Sequence, residues 1–307
     1  MNAPAQYMSP TQWGLLILLA FLWGCSFLFM GIATRELPAF TIVFVRVGLA
    51  AAILVPIAYA LGHRLPTTWQ AWQPFVGMAI LNNVIPFSLI VTGQKEIASG
   101  LASVLNATTP VFALIVAHLL SDDEKLKANK LVGVLLGVAG VAVLVGPEAM
   151  FGRASSVIGM LCLLGAALSY GVSGFWGRRL RGHPPLVSSS AQLICSTLIL
   201  LPLALLVDAP WTLARPSTEA IAALVGLAVL ATSLAYVVFF RILSVSGSNN
   251  VMLVTLLIPV FAIPLGAWHL GEVLLPRHFV GAAIIALSLL VIDGRLLAFV
   301  RSGREVA

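Results

Sequence analysis

Long apolar segments recur along the whole chain, and they constrain its fold more than any other feature. The hydrocarbon core of a bilayer is about 30 Å thick, so a helix that rises about 1.5 Å per residue crosses it with about 20 apolar residues. Ten segments of this sequence meet that length, and short links with proline, glycine or charged residues join them. The predicted spans are 14–34, 40–60, 71–92, 98–120, 128–146, 155–177, 186–206, 220–240, 249–270 and 279–297.

The composition excludes a water-soluble protein. Of the 307 residues, 60% are hydrophobic and only 9% are charged, whereas soluble domains have roughly 25% charged residues. Strands of a membrane β-barrel would alternate polar and apolar residues over about ten positions, and no such alternation is present. The sequence therefore predicts an all-α integral membrane protein with ten transmembrane helices.

The basic residues are distributed unevenly between the two sets of links. Eleven of the 17 Lys and Arg residues fall on the side that holds both termini, five fall on the other side, and Arg46 lies inside a span. By the positive-inside rule, both termini are predicted to be cytoplasmic in a multi-pass inner (plasma) membrane protein. The formal charge of +6 is thus explained by membrane orientation, and we expect no nucleic-acid partner.

The cysteines and the amino-terminal segment carry no further signal. Cys25, Cys162 and Cys195 all lie in apolar runs, are odd in number and lack metal-ligand spacing, so we expect core residues, no metal and no cofactor. The first apolar segment has no basic residues before it and nine similar segments after it, so it is interpreted as a span rather than a signal peptide.

The two halves of the sequence resemble each other at an offset of 147 to 149 residues. This predicts two repeats, 1–150 and 151–307, each with five helices. Because five is odd, the second repeat enters the membrane from the opposite face, and inverted repeats are a common architecture of secondary transporters that work by alternating access. The matching pairs are Trp23-Gly24 with Ser26 and Tyr170-Gly171 with Ser173, Val76-Gly77 and Val225-Gly226, Pro110 to Ala113 and Pro259 to Ala262, Glu124 and Glu272, and Val132-Gly133 and Val280-Gly281.

These motifs resemble the EamA-type branch of the drug/metabolite transporter superfamily over nearly the whole chain. The resemblance rests on the repeat, on Trp-Gly-x-Ser at Trp23, and on Ser-Gly-Leu-Ala, Thr-Pro-Val-Phe-Ala and Asp-Glu-Lys-Leu between Ser99 and Leu126. It implies a ten-helix exporter of amino acids and related metabolites, similar to the aromatic amino acid exporters. The first half departs from the usual Gly-Glu pair, with Asp123-Glu124 where the second half has Gly271-Glu272.

Three prolines inside predicted spans indicate where a substrate could bind. A proline within a helix frees the carbonyl four residues earlier, and transporter sites near the membrane midplane use such interrupted helices. The alternative is that the polar side chains at these positions only satisfy the backbone or hold helices together. The prolines are Pro86, Pro110 and Pro259, and the freed carbonyls belong to Asn82, Asn106 and Thr255.

Two aromatic pairs fall on equivalent positions of the repeats, Trp23 with Tyr170 and Phe87 with Tyr236. They could form the walls of a pocket or simply belong to the core. With the polar groups they make up the predicted site, in which helices one, three, four, six, eight and nine surround the cavity and helices two, five, seven and ten are peripheral. The candidate substrate-binding residues are Trp23, Ser26, Asn82, Asn83, Phe87, Asn106, Thr109, Tyr170, Ser173, Tyr236 and Thr255.

The charged residues discriminate between kinds of transporter. No Asp or Glu lies in the central part of any predicted span, although a cation/proton antiporter of the small multidrug type would need one. Arg46 could extend its side chain to the outer interface or line an outer vestibule that attracts a carboxylate, and both alternatives stay open. Glu124 and Glu272 are interpreted as structural helix ends.

The leading hypothesis is a secondary transporter that exports small neutral metabolites by alternating access, with amino acids favoured and aromatic ones preferred. Its expected partners are a small-molecule substrate and the lipid bilayer, and the sequence is compatible with a monomer that is not an enzyme. The first alternative is a multidrug or organic-cation exporter. The second, a membrane-embedded lipid-modifying enzyme, would need acidic pairs or a His cluster, and only Asp122-Asp123 qualifies.

Overall fold

The structure is a computed structural model that describes residues 9–120, 128–145, 154–180, 182–252 and 254–293. Within these ranges every regular element is a helix. The α-helices are α1 (Pro10–Ala33), α2 (Ala39–Ala60), α3 (Trp69–Ala79), α4 (Ile85–Gly93), α5 (Ser99–Asn106), α6 (Thr109–Leu120), α7 (Ala128–Val145), α8 (Ala154–Trp176), α9 (Pro185–Leu203), α10 (Thr218–Ala228), α11 (Ala235–Met252), α12 (Val254–Leu265) and α13 (Pro276–Asp293).

Several of these helices are joined or extended by wider π-helical turns. Ile80–Val84 connects α3 to α4, and Val229–Leu234 connects α10 to α11. Ala204–Asp208 extends α9, and Gly266–Leu270 extends α12. Such turns break the regular hydrogen-bond pattern and often mark functional positions. The two connecting turns lie 149 residues apart, which is the offset of the sequence repeat.

Seven helical segments of the described chain are long and apolar enough to cross a bilayer, and Leu131–Val143 and Leu257–Leu270 are shorter apolar helices. Large apolar side chains also cover the outside of the bundle, where Leu161 is 61% exposed and Leu198 is 65% exposed. Water would disfavour so much exposed apolar surface, whereas lipid accommodates it. The chain is therefore an α-helical, multi-pass membrane protein.

Local sequence explains where individual helices begin and end. Ser9 and Gln12 form a capping box before α1, in which the Ser9 hydroxyl accepts from the Gln12 amide and the Gln12 side chain accepts from the Ser9 amide. The Ser217 hydroxyl accepts from the Ala220 amide and so caps α10. Gly271 ends the π turn after α12 with a φ of 68°, a conformation that costs glycine little.

Four glycines allow helices from the two halves to approach closely, and their contacts are reciprocal. A Cβ at Gly24 would lie 2.7 Å from Cβ of Phe261, and a Cβ at Gly171 would lie 2.8 Å from the backbone nitrogen of Ala113. These contacts join α1 to α12 and α8 to α6. The repeat offset relates α1 to α8 and α6 to α12, so the two contacts are equivalent. In the same way, a Cβ at Gly77 would collide with the indole of Trp176, and a Cβ at Gly226 would lie 2.7 Å from the ring of Phe29.

The structure corrects some details of the sequence prediction. Pro259 was expected to interrupt its span, but α12 stays helical across it, because a helix can lose one backbone hydrogen bond and continue. The α11 helix also continues to Met252 through residues predicted to be a link, since a glycine such as Gly247 costs a helix only about 1 kcal/mol. Cys25 and Cys195 are buried and Cys162 is half-buried. Glu124 lies outside the described residues.

Candidate functional site

A fully buried amide lies at the centre of the bundle. Asn83, in the π turn between α3 and α4, has no exposed surface. Its Nδ2 donates to Oγ of Ser196 on α9 at 2.9 Å, and its Oδ1 accepts from the hydroxyl of Tyr236 on α11 at 3.1 Å. Ser196 in turn donates to the carbonyl of Gln192 at 2.6 Å. One side chain therefore connects three helices through hydrogen bonds whose partners all come from the second half.

The neighbouring Asn82 extends this network towards α8. Its Nδ2 donates to Oε1 of Gln192 at 3.3 Å, and its Oδ1 accepts from Oγ of Ser173 at 3.2 Å. The Ser173 hydroxyl is also 2.8 Å from the carbonyl of Tyr170, and the Ser169 hydroxyl donates to the carbonyl of Leu81 at 2.7 Å. The π turn is thus surrounded by polar groups of α8 and α9, which satisfy side chains that lipid could not.

Arg46 of α2 is also buried and is only 4% exposed. Its Nε donates to Oγ1 of Thr232 at 2.9 Å, and Nη1 contacts Sδ of Met30 at 3.6 Å. The guanidinium carbon lies 3.8 Å from the ring centroid of Phe87, a cation–π arrangement. The Thr232 hydroxyl itself donates to the carbonyl of Leu227 at 2.8 Å inside the second π turn.

Aromatic side chains complete the surroundings of Arg46. Tyr170 and Tyr236 lie near its guanidinium. Tyr236 also contacts Phe240 edge-on, with ring centroids 6.2 Å apart, and Phe240 contacts Phe239 at 5.1 Å. Phe239 then contacts Trp23 of α1 at 5.8 Å. A continuous row of rings therefore runs from Trp23 to the tyrosine that donates to Asn83.

A second polar position lies at the break between α5 and α6, directly before Pro110. The carbonyl of Asn106, which the proline leaves without its usual helical partner, accepts from Oγ1 of Thr109 at 2.7 Å. The backbone group is thus satisfied locally, by a threonine three residues later rather than by the Asn106 side chain. The side-chain Oδ1 of Asn106 is buried and accepts no hydrogen bond from the described residues.

The structure brings together most of the predicted site residues. Asn82, Asn83, Phe87, Tyr170, Ser173 and Tyr236 belong to the network around the first π turn and Arg46, and Trp23 joins it through the row of rings. Of the other predicted residues, Ser26 is buried on α1, Asn106 and Thr109 occupy the α5–α6 break, and Thr255 is half-buried at the start of α12.

The sequence-based list of candidate residues left out four residues of this centre, Arg46, Gln192, Ser196 and Thr232, although Arg46 had been considered for an outer vestibule. The sequence prediction also placed helices two and seven at the periphery, whereas α2 and α9 supply three of these side chains. Signals were present, because Arg46 is the one basic residue deep in a predicted span, and Thr232 is the residue 149 positions after Asn83. Polar residues cluster in the seventh predicted span from Ser188 to Thr197.

Carboxylates from one half cap helices of the other half at the predicted outer face. Glu36, after α1, accepts from the hydroxyl of Ser217 at 2.5 Å and from its amide at 2.7 Å, just before α10. Asp208, after α9, accepts from the amide of Thr41 at 2.6 Å and from its hydroxyl at 2.9 Å, in the first turn of α2. The hydrogen bond from the Ser217 hydroxyl, followed by that from its amide, lowers the pKa of Glu36.

Glu272 makes a third cap of this kind. Its carboxylate accepts from the amide of Ser99 at 2.6 Å, from the Ser99 hydroxyl at 2.9 Å and from the amide of Gly100 at 3.1 Å, at the start of α5. The prediction that Glu272 is structural is therefore confirmed. An open cavity of about 380 Å³ lies beside it, lined by Gly31, Thr34, Arg35, Gln94, Lys95, Leu270 and Glu272.

A multi-pass helical bundle with a buried polar and aromatic centre is typical of a membrane transporter for small molecules. Within the described residues no three His, Cys, Asp or Glu side chains form a group that could hold a metal ion. The sequence profile of the EamA-like transporter family matches residues 12–146 and again residues 157–293. The chain therefore belongs to the EamA-like transporter family, within the drug/metabolite transporters.

Curated relatives span almost the same length as this chain. The uncharacterized transporter YoaV of Bacillus subtilis (strain 168) is 24% identical over 275 residues, which are 88% of this chain and 92% of the relative. The probable amino-acid metabolite efflux pump of Escherichia coli (strain K12) is 25% identical over 300 residues, with 92% and 95% covered. A solved crystal structure at 18% identity superposes with a TM-score of 0.65 and covers 92% of this chain and 97% of its own, which is evidence for the fold alone.

Proposed function

We propose that this protein exports amino acids or closely related zwitterionic metabolites, with aromatic side chains preferred, across the inner membrane. The observation that carries the proposal is the centre of the bundle, where a buried guanidinium, an amide network and a row of aromatic rings adjoin one another. Such a site offers a cation for a carboxylate, amide and carbonyl oxygens for an ammonium group, and aromatic surface for an apolar side chain. The Escherichia coli relative is described as a probable amino-acid metabolite efflux pump, which agrees with this class of substrate.

We further propose that the chain consists of two inverted five-helix repeats, 1–150 and 151–307, that together make ten spans with both termini in the cytoplasm. Reciprocal contacts support this. If a two-fold axis relates the halves, a contact between one residue of each half occurs a second time between the two equivalent residues. Gly24 and Gly171, and likewise Gly77 and Gly226, behave in this way. The family profile also matches once in each half.

The two parts of the proposal combine into a mechanism. Exchange of conformation between two inverted halves closes one face of a transporter while it opens the other. The caps at Glu36, Asp208 and Glu272 join the halves at the predicted outer face, so they must separate when that face opens. A single chain supplies both halves of the site, so we propose that the monomer is the transporting unit.

The positive charge of Arg46 disfavours the multidrug or organic-cation alternative. A cationic substrate at this centre would meet a like charge in a medium of low dielectric constant, where repulsion is strong. Of the described residues, no Asp or Glu lies within salt-bridge distance of Arg46 to offset that charge. A substrate with a carboxylate would instead be attracted.

Counterflow in proteoliposomes tests the proposed function. Vesicles with the purified protein are loaded with pooled amino acids, and entry of single radiolabelled amino acids is followed with and without a proton gradient. We expect accumulation of L-phenylalanine or L-tyrosine and none of cationic dyes, while empty vesicles serve as the control. Accumulation of dyes without any amino acid would contradict the proposal.

A further inference from the structure

Arg46 is an arginine inside a membrane span with no anionic partner among the residues that the structure describes. Its contacts are a hydroxyl, a thioether sulfur and an aromatic ring, and the described residues place no carboxylate within salt-bridge distance. A buried charge is costly unless it is paired, and an ionisable group inside a span is by default a functional residue. The missing partner is therefore expected to come from outside the protein.

The hydrogen bonds of Arg46 leave part of its guanidinium available. The group has five N–H donors in a planar fork, but the contacts with described residues use only Nε, which donates to Thr232, and Nη1, which meets the weak acceptor sulfur of Met30. The fork matches a carboxylate, which can accept two parallel hydrogen bonds. Phe87 holds the guanidinium plane from one side at 3.8 Å, so its position is defined before a ligand binds.

Comparison of the two halves shows that packing alone does not require an arginine here. Asn83 and Thr232 are 149 residues apart, and each lies in one of the two connecting π turns. Asn83 bonds to Ser196 of α9, and Thr232 bonds to Arg46 of α2, where α2 and α9 are the second helices of the two repeats. A neutral hydroxyl is sufficient for this helix contact in one half, so the charge in the other half has a different role.

The groups around Arg46 also define which end of a substrate would lie there. Tyr170 and Tyr236 lie near the guanidinium, and a row of rings runs from Tyr236 to Trp23. A carboxylate at Arg46 would therefore place an apolar side chain beside aromatic surface. The absence of a second buried cation in these contacts indicates a single carboxylate rather than a diacid.

We propose that Arg46 is the residue that binds the substrate's carboxylate, so that a carboxylate is obligatory for recognition, whereas the ammonium group is not. The proposal rests on the proposed function for the identity of the site, and it adds the group that determines specificity. It includes amino acids and simple aromatic carboxylates, and it excludes amines and amides of the same shape.

Competition by three analogues tests this in the wild-type protein and needs no mutation. Counterflow of L-phenylalanine is measured with 3-phenylpropionate, which keeps only the carboxylate, with phenethylamine, which keeps only the amine, and with L-phenylalaninamide. We expect 3-phenylpropionate to compete and the other two to need at least tenfold higher concentration, which corresponds to about 1.4 kcal/mol. Equal competition by phenethylamine and 3-phenylpropionate would overturn the proposal and leave the proposed function intact.

Two variants at the same position supply the second arm. Arg46→Gln should abolish the preference for carboxylates, and Arg46→Lys should retain part of it, because lysine keeps the charge but not the planar fork. Arg64→Gln, which removes an exposed positive charge from the link between α2 and α3, is the matched control and should behave as wild type. Unchanged selectivity in a folded, monodisperse Arg46→Gln protein would contradict the proposal.

Ligand binding tests the carboxylate site independently of transport. If the wild-type protein moves no amino acid, the proposed function fails, and binding of 3-phenylpropionate is then measured directly by the thermal stabilisation of the purified protein. Stabilisation of wild type and Arg64→Gln, but not of Arg46→Gln, would support the carboxylate site on its own. Equal stabilisation of Arg46→Gln would overturn it.

Discussion

The close contact of α8 with α6 at Gly171 gives the sharpest prediction about stability. In a Gly171→Ala variant the new Cβ would lie 2.8 Å from the Ala113 nitrogen and 3.0 Å from the Phe112 carbonyl carbon, whereas carbon atoms rest about 3.5 to 4.0 Å apart. Both neighbours are backbone atoms in a helix, so no side-chain rotation relieves the clash. The two helices must separate by several tenths of an ångström, and we expect a cost of about 1 to 3 kcal/mol.

Gly174, one turn further along α8, provides a matched control. A Cβ there would meet nothing within 4 Å, so Gly174→Ala gains only the better helix propensity of alanine, about 1 kcal/mol. Because Gly171→Ala gains the same propensity, the difference between the two variants isolates the clash. At about 2 to 4 °C per kcal/mol for chains of roughly 150 to 250 residues, Gly171→Ala should unfold roughly 2 to 12 °C below Gly174→Ala.

The assay is thermal unfolding of the purified variants in one detergent, at equal heating rates, followed by intrinsic fluorescence. The reciprocal pair extends it, since Gly24→Ala would meet Phe261 at 2.7 Å while Gly14→Ala would meet nothing. We expect the two crowded variants to lose similar amounts of stability. Equal midpoints for Gly171→Ala and Gly174→Ala would refute the close contact, and with it one support of the repeat.

Three other predictions concern the polar centre and the outer caps. Asn83→Ala leaves the Tyr236 and Ser196 hydroxyls without their shared partner. The free energy of unfolding should therefore fall by about 1 to 3 kcal/mol, and counterflow in proteoliposomes should also fall. Glu272→Gln should weaken the cap of α5, because a neutral amide accepts less strongly than a carboxylate, and should raise the rate at which a maleimide labels a cysteine placed at Lys95 on the predicted outer face. The hydrogen bonds that lower the pKa of Glu36 stabilise the closed outer face above the ordinary carboxyl pKa, and this contribution disappears as pH falls through the lowered value. The difference in thermal stability between wild type and Glu36→Gln should therefore vanish on acidification. A difference in thermal stability that does not change with pH would contradict the assignment.

Membrane helices could be predicted from the sequence because lipid leaves few alternatives. An unpaired backbone group in hydrocarbon costs several kcal/mol, so long apolar runs form helices, and the prediction for Pro10–Ala33 or Ala39–Ala60 depended only on length and composition. Proline positions were a weaker guide. Ala107 and Thr108 interrupt the helix before Pro110, but Pro259 lies inside a continuous helix. The difference arises because neighbouring helices decide whether the carbonyl that a proline frees finds another partner.

The candidate site could be predicted only in part. Equivalent positions in the repeat indicated Trp23 and Tyr236, which the structure connects through rings and a hydrogen bond to Asn83. The second π turn could not be predicted from composition, because Val229–Leu234 contains no proline. The partners of Arg46 could not be predicted either, because the sequence shows how deep Arg46 lies in its span but not which helix faces it.

Opposite orientation of the two halves is the claim on which the mechanism depends, and cysteine labelling tests it most directly. In a variant without native cysteines, single cysteines replace Arg64 in the link before α3 and Arg215 in the link before α10, both exposed and in equivalent links of the two halves. Intact cells are treated with a membrane-impermeant maleimide, and lysed cells serve as the control. We predict labelling of the Arg215→Cys protein in intact cells and of the Arg64→Cys protein only after lysis. Labelling of both in intact cells, or of neither until lysis, would place the two links on one face and contradict the inverted repeat.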